Sequence, residues 1–180
     1  MFEDLLVRYC SPTLAGIKTG NIFTYKGLDI YELIKKWNLV FEKYNMKMVI
    51  LRKNGNTSLI YVYRVELISR LFSDKKVVDF FRNTGYENPD NYDMVIRQIQ
   101  EKLKQNSAFP HEIGVILGYP LRDVMGFIKN NGKNFMLAGM WKVYDQCDDC
   151  KKTFSRYNNC TRYFLDRFEK GIGVKNLLTA

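Results

Sequence analysis

The sequence predicts an α+β domain in which a small, mainly antiparallel sheet is packed by several helices. Three observations carry that prediction. Two strand-forming runs, Met48-Val49-Ile50-Leu51 and Leu59-Ile60-Tyr61-Val62-Tyr63, are joined by Asn54-Gly55-Asn56, whose residues tolerate positive φ; residues 47–64 therefore read as a β-hairpin. A hairpin has no place in an all-parallel sheet, which argues against a doubly wound α/β fold. The remaining apolar residues recur mostly at helical spacing, in a 180-residue chain that is 46% hydrophobic and shows no internal repeat or Pro/Gly-rich linker. One domain over residues 1–180 is the simplest organisation.

Taken in order, residues 12–19 read as a short helix, with Ser11 as N-cap and Pro12 at the first helical position. Residues 30–44 form a second helix. Asp29 and Glu32 resemble a capping box, and Leu33, Trp37, Phe41 and Tyr44 make one face. The near-continuous apolar runs of the hairpin imply strands covered on both faces. Residues 65–84 are helical with a break near Ser73-Asp74, and Gly85 ends them. Asn88-Pro89-Asp90 marks a loop before a helix at about 91–106. A short helix after Phe109-Pro110 stops at Gly118, and Pro120 opens another that ends at Asn131-Gly132. Residues 134–144 carry Phe135, Met136, Leu137, Met140, Trp141 and Val143 and read as a third strand. The last long helix covers about 145–170. Cys147, Cys150, Phe154, Tyr157, Thr161, Phe164 and Phe168 fall on one face of it, and Gly171 follows its end.

Composition narrows the function classes. The chain holds one His, so a multi-His metal site within one chain is excluded. Lys and Arg number 28 against 19 Asp and Glu, a net charge of +9. Such a balance suits nucleic acid, an acidic surface or an acidic protein partner, but it equally suits a solvated surface. Residues 18–53 are the most basic stretch, and no nucleic-acid motif accompanies the charge, so nucleic acid is disfavoured as a partner. No segment approaches the roughly 20 apolar residues of a spanning helix, so membrane insertion is not expected. The early acids Glu3 and Asp4 and the short apolar run argue against a secretory signal, which makes the cytoplasm the expected compartment. Thiols stay reduced there, so Cys10, Cys147, Cys150 and Cys160 are expected free or metal-bound.

Three stretches stand out together. They are Cys10-Ser11-Pro12-Thr13-Leu14-Ala15-Gly16-Ile17-Lys18; Phe109-Pro110-His111-Glu112-Ile113-Gly114 running on to Leu117-Gly118-Tyr119-Pro120, Asp123-Val124 and Gly126-Phe127-Ile128; and Trp141-Lys142-Val143-Tyr144, with Tyr157 and Cys160 following. With these motifs the chain resembles, over nearly its whole length, an uncharacterised prokaryotic family that is frequent in anaerobic bacteria and filed as a domain of unknown function. The resemblance implies no activity. It does single out Cys10, His111 and Cys160, which match the family's motifs, whereas Cys147 and Cys150 do not.

The chemistry of these residues supports three expectations. The first is thiol-dependent chemistry on a small molecule or peptide. Cys10, just before a predicted helix, would be a thiolate nucleophile, and His111, at a helix start and hence neutral, would be its base; Cys160 is a second thiol. The second is a non-enzymatic accessory protein that binds a metal, haem or small ligand, with Cys10, His111 and Cys160 as an alternative ligand set. The third is a basic module for nucleic acid or an acidic protein. Cys147-Asp148-Asp149-Cys150 has redox-motif spacing, but its cysteines continue an apolar helical face and read as core packing. No P-loop, dinucleotide loop or serine elbow is present.

Overall fold

The computed structural model describes residues 1–105, 109–145 and 149–178. Helix α1 (Phe2–Leu14) leads into strand β1 (Gly20–Lys26), then α2 (Ile30–Phe41) and one 3-10 turn (Glu42–Tyr44). Strands β2 (Met46–Asn54) and β3 (Thr57–Arg64) form the hairpin. Helices α3 (Val65–Phe72), α4 (Lys75–Asn83), α5 (Tyr92–Lys104), α6 (Ile113–Ile116) and α7 (Leu121–Lys129) follow. A two-residue-per-strand hairpin, β4 (Leu137–Ala138) and β5 (Lys142–Val143), precedes the 20-residue helix α8 (Cys150–Glu169) and the short α9 (Val174–Leu177).

The expected α+β class is found. The sheet is antiparallel in the order β1-β3-β2, with β3 in the centre. Alternation along β3 divides the core. Ile60 and Val62 join a cluster with α1, α2, α8 and α9 that includes Leu6, Cys10, Trp37, Phe41 and Phe164. Tyr61 and Tyr63 join a second cluster with α3–α7 that includes Phe72, Phe81, Ile99, Ile116 and Val124. A strand buried on both faces is thus flanked by helices on each side, as its unbroken apolar run implies. A bulge between Ile50 and Arg52 leaves Leu51 unpaired in the register, and its side chain fills the second cluster. The outer edge of β2 is occupied by side-chain amides: Asn38 bonds both the N–H and the carbonyl of Met48 (2.8 and 2.9 Å), and Gln100 donates to the Ile50 carbonyl (2.8 Å).

Several boundaries depart from expectation for local reasons. The first helix spans residues 2–14, not 12–19. Phe2, Leu6, Cys10 and Leu14, four apart, make its buried stripe, and Pro12 lies in its last turn. A proline there deprives the Arg8 carbonyl of its donor, and the cost is confined to one bond of the last turn, next to the exposed Arg8. Asp29 precedes α2 but makes no capping bond; its Oδ1 accepts from the Tyr25 hydroxyl at 2.7 Å. The third strand of the sheet is β1, while residues 134–144 hold the separate small hairpin. Elsewhere the expected glycine stops are found, and the break near Ser73-Asp74 is the junction of α3 and α4. Asp74 caps α4, Asn91 caps α5, and Gly85, Gly118, Gly132 and Gly171 take positive φ at helix ends.

Two buried cations hold the turn from α1 to β1. The Arg64 guanidinium donates to the carbonyls of Thr13 (2.9 Å), Leu14 and Tyr44 (3.2 Å), so a positive group closes the carbonyl end of α1. Lys18, 3% exposed, donates from Nζ to the carbonyls of Gly20 and, 99 residues on, Leu117 (2.7 Å).

Candidate ligand cavity

A cavity of about 390 Å³ opens between the α6–α7 pair and the β4–β5 hairpin. Its wall is built largely of apolar and aromatic side chains, among them Ile22, Leu117, Tyr119, Val124 and Trp141, with His111, Asp123 and Lys142 as the ionisable groups. A volume of this size lies within the range of small-molecule pockets.

Local sequence explains the wall. Gly114 lets α6 approach α7: a Cβ there would stand 2.9 Å from a Val124 methyl. Gly118, with φ +79°, ends α6 and lies against Thr19, whose hydroxyl would meet an added Cβ at 2.7 Å. Asp123, buried in the first turn of α7, accepts from Trp141 Nε1 at 2.8 Å and from the Tyr144 N–H at 2.9 Å, and so anchors the hairpin. Trp141 then stacks on Tyr119 (5.2 Å between centroids) and meets Phe154 of α8 edge-on (4.5 Å). Lys18 lies over the Tyr119 ring at 5.1 Å and bonds the Leu117 carbonyl. Two of the distinctive stretches thus supply most of the wall, through residues 109–127 and 141–142, and the first supports it from behind through Lys18.

The mouth is aromatic and basic. His111 is exposed, with its ring between Phe109 (5.9 Å) and Phe127 (4.7 Å), and no hydrogen bond engages its side chain among the described residues. Lys142 Nζ donates to the Gly132 carbonyl at 2.7 Å and lies over the rings of Phe135 (4.7 Å) and Phe127 (5.7 Å).

The candidate cysteines sit elsewhere. Cys10 is inside α1, not ahead of a helix, and is fully buried in the first cluster. Burial pushes its thiol far up; only Lys18 opposes this, by a weaker attraction for the thiolate. The surroundings therefore disfavour the thiolate that the sequence led one to expect. Cys160 packs half-buried against the same cluster, its thiol pushed up to about 11 by burial. Neither cysteine lines the cavity that His111 lines. Among the described residues, no group of three His, Cys, Asp or Glu side chains is arranged to hold a metal ion.

Cys150 corrects the expectation of free thiols. It is buried with Val143 and Phe154, as its place on the apolar face implies, but it is disulfide-bonded, whereas Cys10 and Cys160 are free. The helix expected over 145–170 is described over Cys150–Glu169, with Cys150 as its first residue. Cys147 lies outside the described residues. No helix among the described residues is long and apolar enough to cross a membrane.

Sequence reasoning does not single out Lys18, Arg64, Asp123 or Lys142 as functional. Lys18, Asp123 and Lys142 each stand within one of the three distinctive stretches, which is the available signal. Arg64 ends the strand run with no mark of burial.

A family model described as protein of unknown function (DUF3793) matches residues 6–178, and the chain belongs to that family. No curated protein and no solved structure matches it.

Proposed function

We propose that this DUF3793 protein is a non-enzymatic binder of a small, largely apolar organic molecule, held in the cavity between α6–α7 and the β4–β5 hairpin. The observation that carries the reading is the cavity itself: about 390 Å³, walled by aliphatic and aromatic side chains that come mostly from two of the distinctive stretches, around residues 109–128 and 141–142. Hydrocarbon and ring surfaces reward an organic ligand by apolar burial and offer a metal few donors. Thiol chemistry finds less support, because Cys10 is buried apart from the cavity and its thiolate is disfavoured.

The test is a titration with the uncharged dye N-phenyl-1-naphthylamine, which fluoresces on entering apolar surroundings. Wild type should bind one dye per chain. Ala138→Trp places a bulky ring from an exposed lining position into the cavity and should weaken binding at least tenfold without unfolding the chain. Dye binding that ignores Ala138→Trp in a folded variant overturns the reading.

A second reading, binding of a polyanion, is favoured by one observation. The first 16 residues of α8, 150–165, carry Lys151, Lys152, Arg156 and Arg162, all exposed, and no acid. Oligonucleotide binding that falls steeply with salt and is lost in Arg156→Glu supports it; no binding at low salt refutes it.

A further inference from the structure

Resting on the cavity reading, we infer that the ligand is an amphiphile with one anionic headgroup, its head against Lys142 and His111 at the mouth and its apolar body against Ile22, Leu117, Tyr119 and Trp141.

Charge accounting at the cavity carries this. Residues 109–145, which supply nearly all of the wall, contain three carboxylates, and each is engaged away from Lys142. Glu112 pairs with Lys102 at 3.2 Å. Asp145 faces Arg122 at 3.5 Å. Asp123 accepts from Trp141 Nε1 with one oxygen and from the Tyr144 N–H with the other. Among the described residues no carboxylate lies within ion-pair distance of Lys142. Among those residues its ammonium is balanced by one carbonyl and two ring faces. An ammonium has three donors, and the Gly132 carbonyl takes one. Two N–H groups thus remain on a half-buried lysine at the edge of an apolar cavity. A carboxylate or phosphate monoester answers that charge; an uncharged ligand leaves it unanswered, and a cation is repelled.

His111 adds to the same end. Phe127 meets both the His111 ring and the Lys142 ammonium, so the two polar groups flank one ring. The His111 side chain has no hydrogen bond among the described residues and can donate to a second headgroup oxygen. The other side-chain donors of the described wall are uncharged, the Tyr119 hydroxyl and the Trp141 Nε1 already bonded to Asp123, so the charge of Lys142 places the head at the mouth and the body inside. A cavity of about 390 Å³ lies at the small end of ligand pockets and suits a body the size of a medium-chain acid.

The experiment displaces N-phenyl-1-naphthylamine with decanoate, decanol and decylammonium, each below its micelle concentration, in wild type and Lys142→Met. Methionine keeps much of the aliphatic stem and removes the charge. In wild type, decanoate should bind at least tenfold more tightly than decanol, and decylammonium more weakly than either. In Lys142→Met the preference for decanoate over decanol should fall to within about twofold. Decanol that still displaces the dye shows that the variant is folded with its cavity intact. If decanol binds but decanoate binds no more tightly in wild type, the headgroup inference is overturned and the cavity reading survives. A Lys142→Met variant that keeps the tenfold preference overturns the headgroup inference in the same way. If none of the three displaces the dye and the dye itself does not bind, the cavity reading has failed and the inference with it. Should Lys142→Met not fold, the order decanoate, decanol, decylammonium in wild type decides alone.

Discussion

Raising the pH from 7 to 8.5 should stabilise this fold, and Lys18 is the reason. The side chain is 3% exposed, and burial lowers its pKa to about 7, against an ordinary lysine value near 10.4. Between those values the unfolded chain binds one proton more than the folded chain. Stability then rises with pH, by up to about 1.4 kcal/mol per pH unit. With the folded group half-titrated at pH 7, the gain from Lys18 to pH 8.5 is about 1.6 kcal/mol. Deprotonation loses no hydrogen bond, because a neutral amine keeps two N–H groups for the two carbonyls of Gly20 and Leu117. The buried thiol of Cys10 sets the upper limit of the window. Its folded pKa is raised, so above about pH 8.5, the unfolded cysteine value, the unfolded chain loses a proton that the folded chain keeps. That opposes Lys18 and flattens the curve, and the raised phenols of Tyr61, Tyr63 and Tyr86 turn it downward above about pH 10. The assay is urea denaturation at closely spaced pH values, followed by tryptophan fluorescence. Half-titration of the unfolded Cys10 thiol at pH 8.5 takes back about 0.4 kcal/mol, so at ordinary slopes of about 1–3 kcal/mol per molar urea the midpoint should rise by between about 0.4 and 1.2 M from pH 7 to 8.5. Lys18→Met should lack the rise. A wild-type midpoint that stays flat, or that rises equally in Lys18→Met, would refute the argument.

Three further outcomes are expected. Arg64→Met leaves the carbonyls of Thr13, Leu14 and Tyr44 without their donor in a buried place; calorimetry or urea melts should show a loss of about 3 kcal/mol or more, and a loss below about 1 kcal/mol would mean that water replaces the guanidinium. In the native protein, iodoacetamide should modify half-buried Cys160 before fully buried Cys10, as read by peptide mass spectrometry; Cys10 reacting first would restore it as a nucleophile. Asp123→Ala unties Trp141 and the Tyr144 amide together and should cost about 2–4 kcal/mol and weaken dye binding, whereas an unchanged dye affinity would show that the hairpin is held by its ring contacts alone.

How much of this is legible in the sequence depends on the kind of signal each residue leaves. The β2–β3 hairpin is legible because Leu59-Ile60-Tyr61-Val62-Tyr63 is apolar on both sides and Asn54-Gly55-Asn56 marks its turn. Its partner β1 is not, because Gly20-Asn21-Ile22-Phe23-Thr24-Tyr25-Lys26 has neither a clean alternation nor an unbroken apolar run. The helix breaks at Ser73-Asp74, Gly85 and Gly118 are legible from capping chemistry. The start of α1 is hidden because Ser11-Pro12 has the pattern of a helix opening, whereas Pro12 in fact helps to close one. His111 is marked by being the lone histidine in a distinctive stretch. Lys142 and Lys18 carry no such mark, because sequence reading places lysines in water by default, and only the fold shows rings and carbonyls gathered around them.

The bond from Lys18 to the Leu117 carbonyl joins positions 99 residues apart, and that from Tyr61 to Ile116 joins positions 55 apart, at 2.6 Å. Contacts of such sequence separation form only after long loops have closed, and closing them costs chain entropy. The cavity wall is therefore a product of the assembled chain and not of any contiguous piece of it. A ligand seated there has no counterpart site in the unfolded chain, so its binding free energy adds to the stability of the whole. At a free concentration a hundredfold above its Kd, that amounts to about 2.7 kcal/mol. The thermal midpoint of the entire protein then becomes a gauge of what occupies one cavity, and a screen of small molecules by melting temperature reads the site without any knowledge of its chemistry.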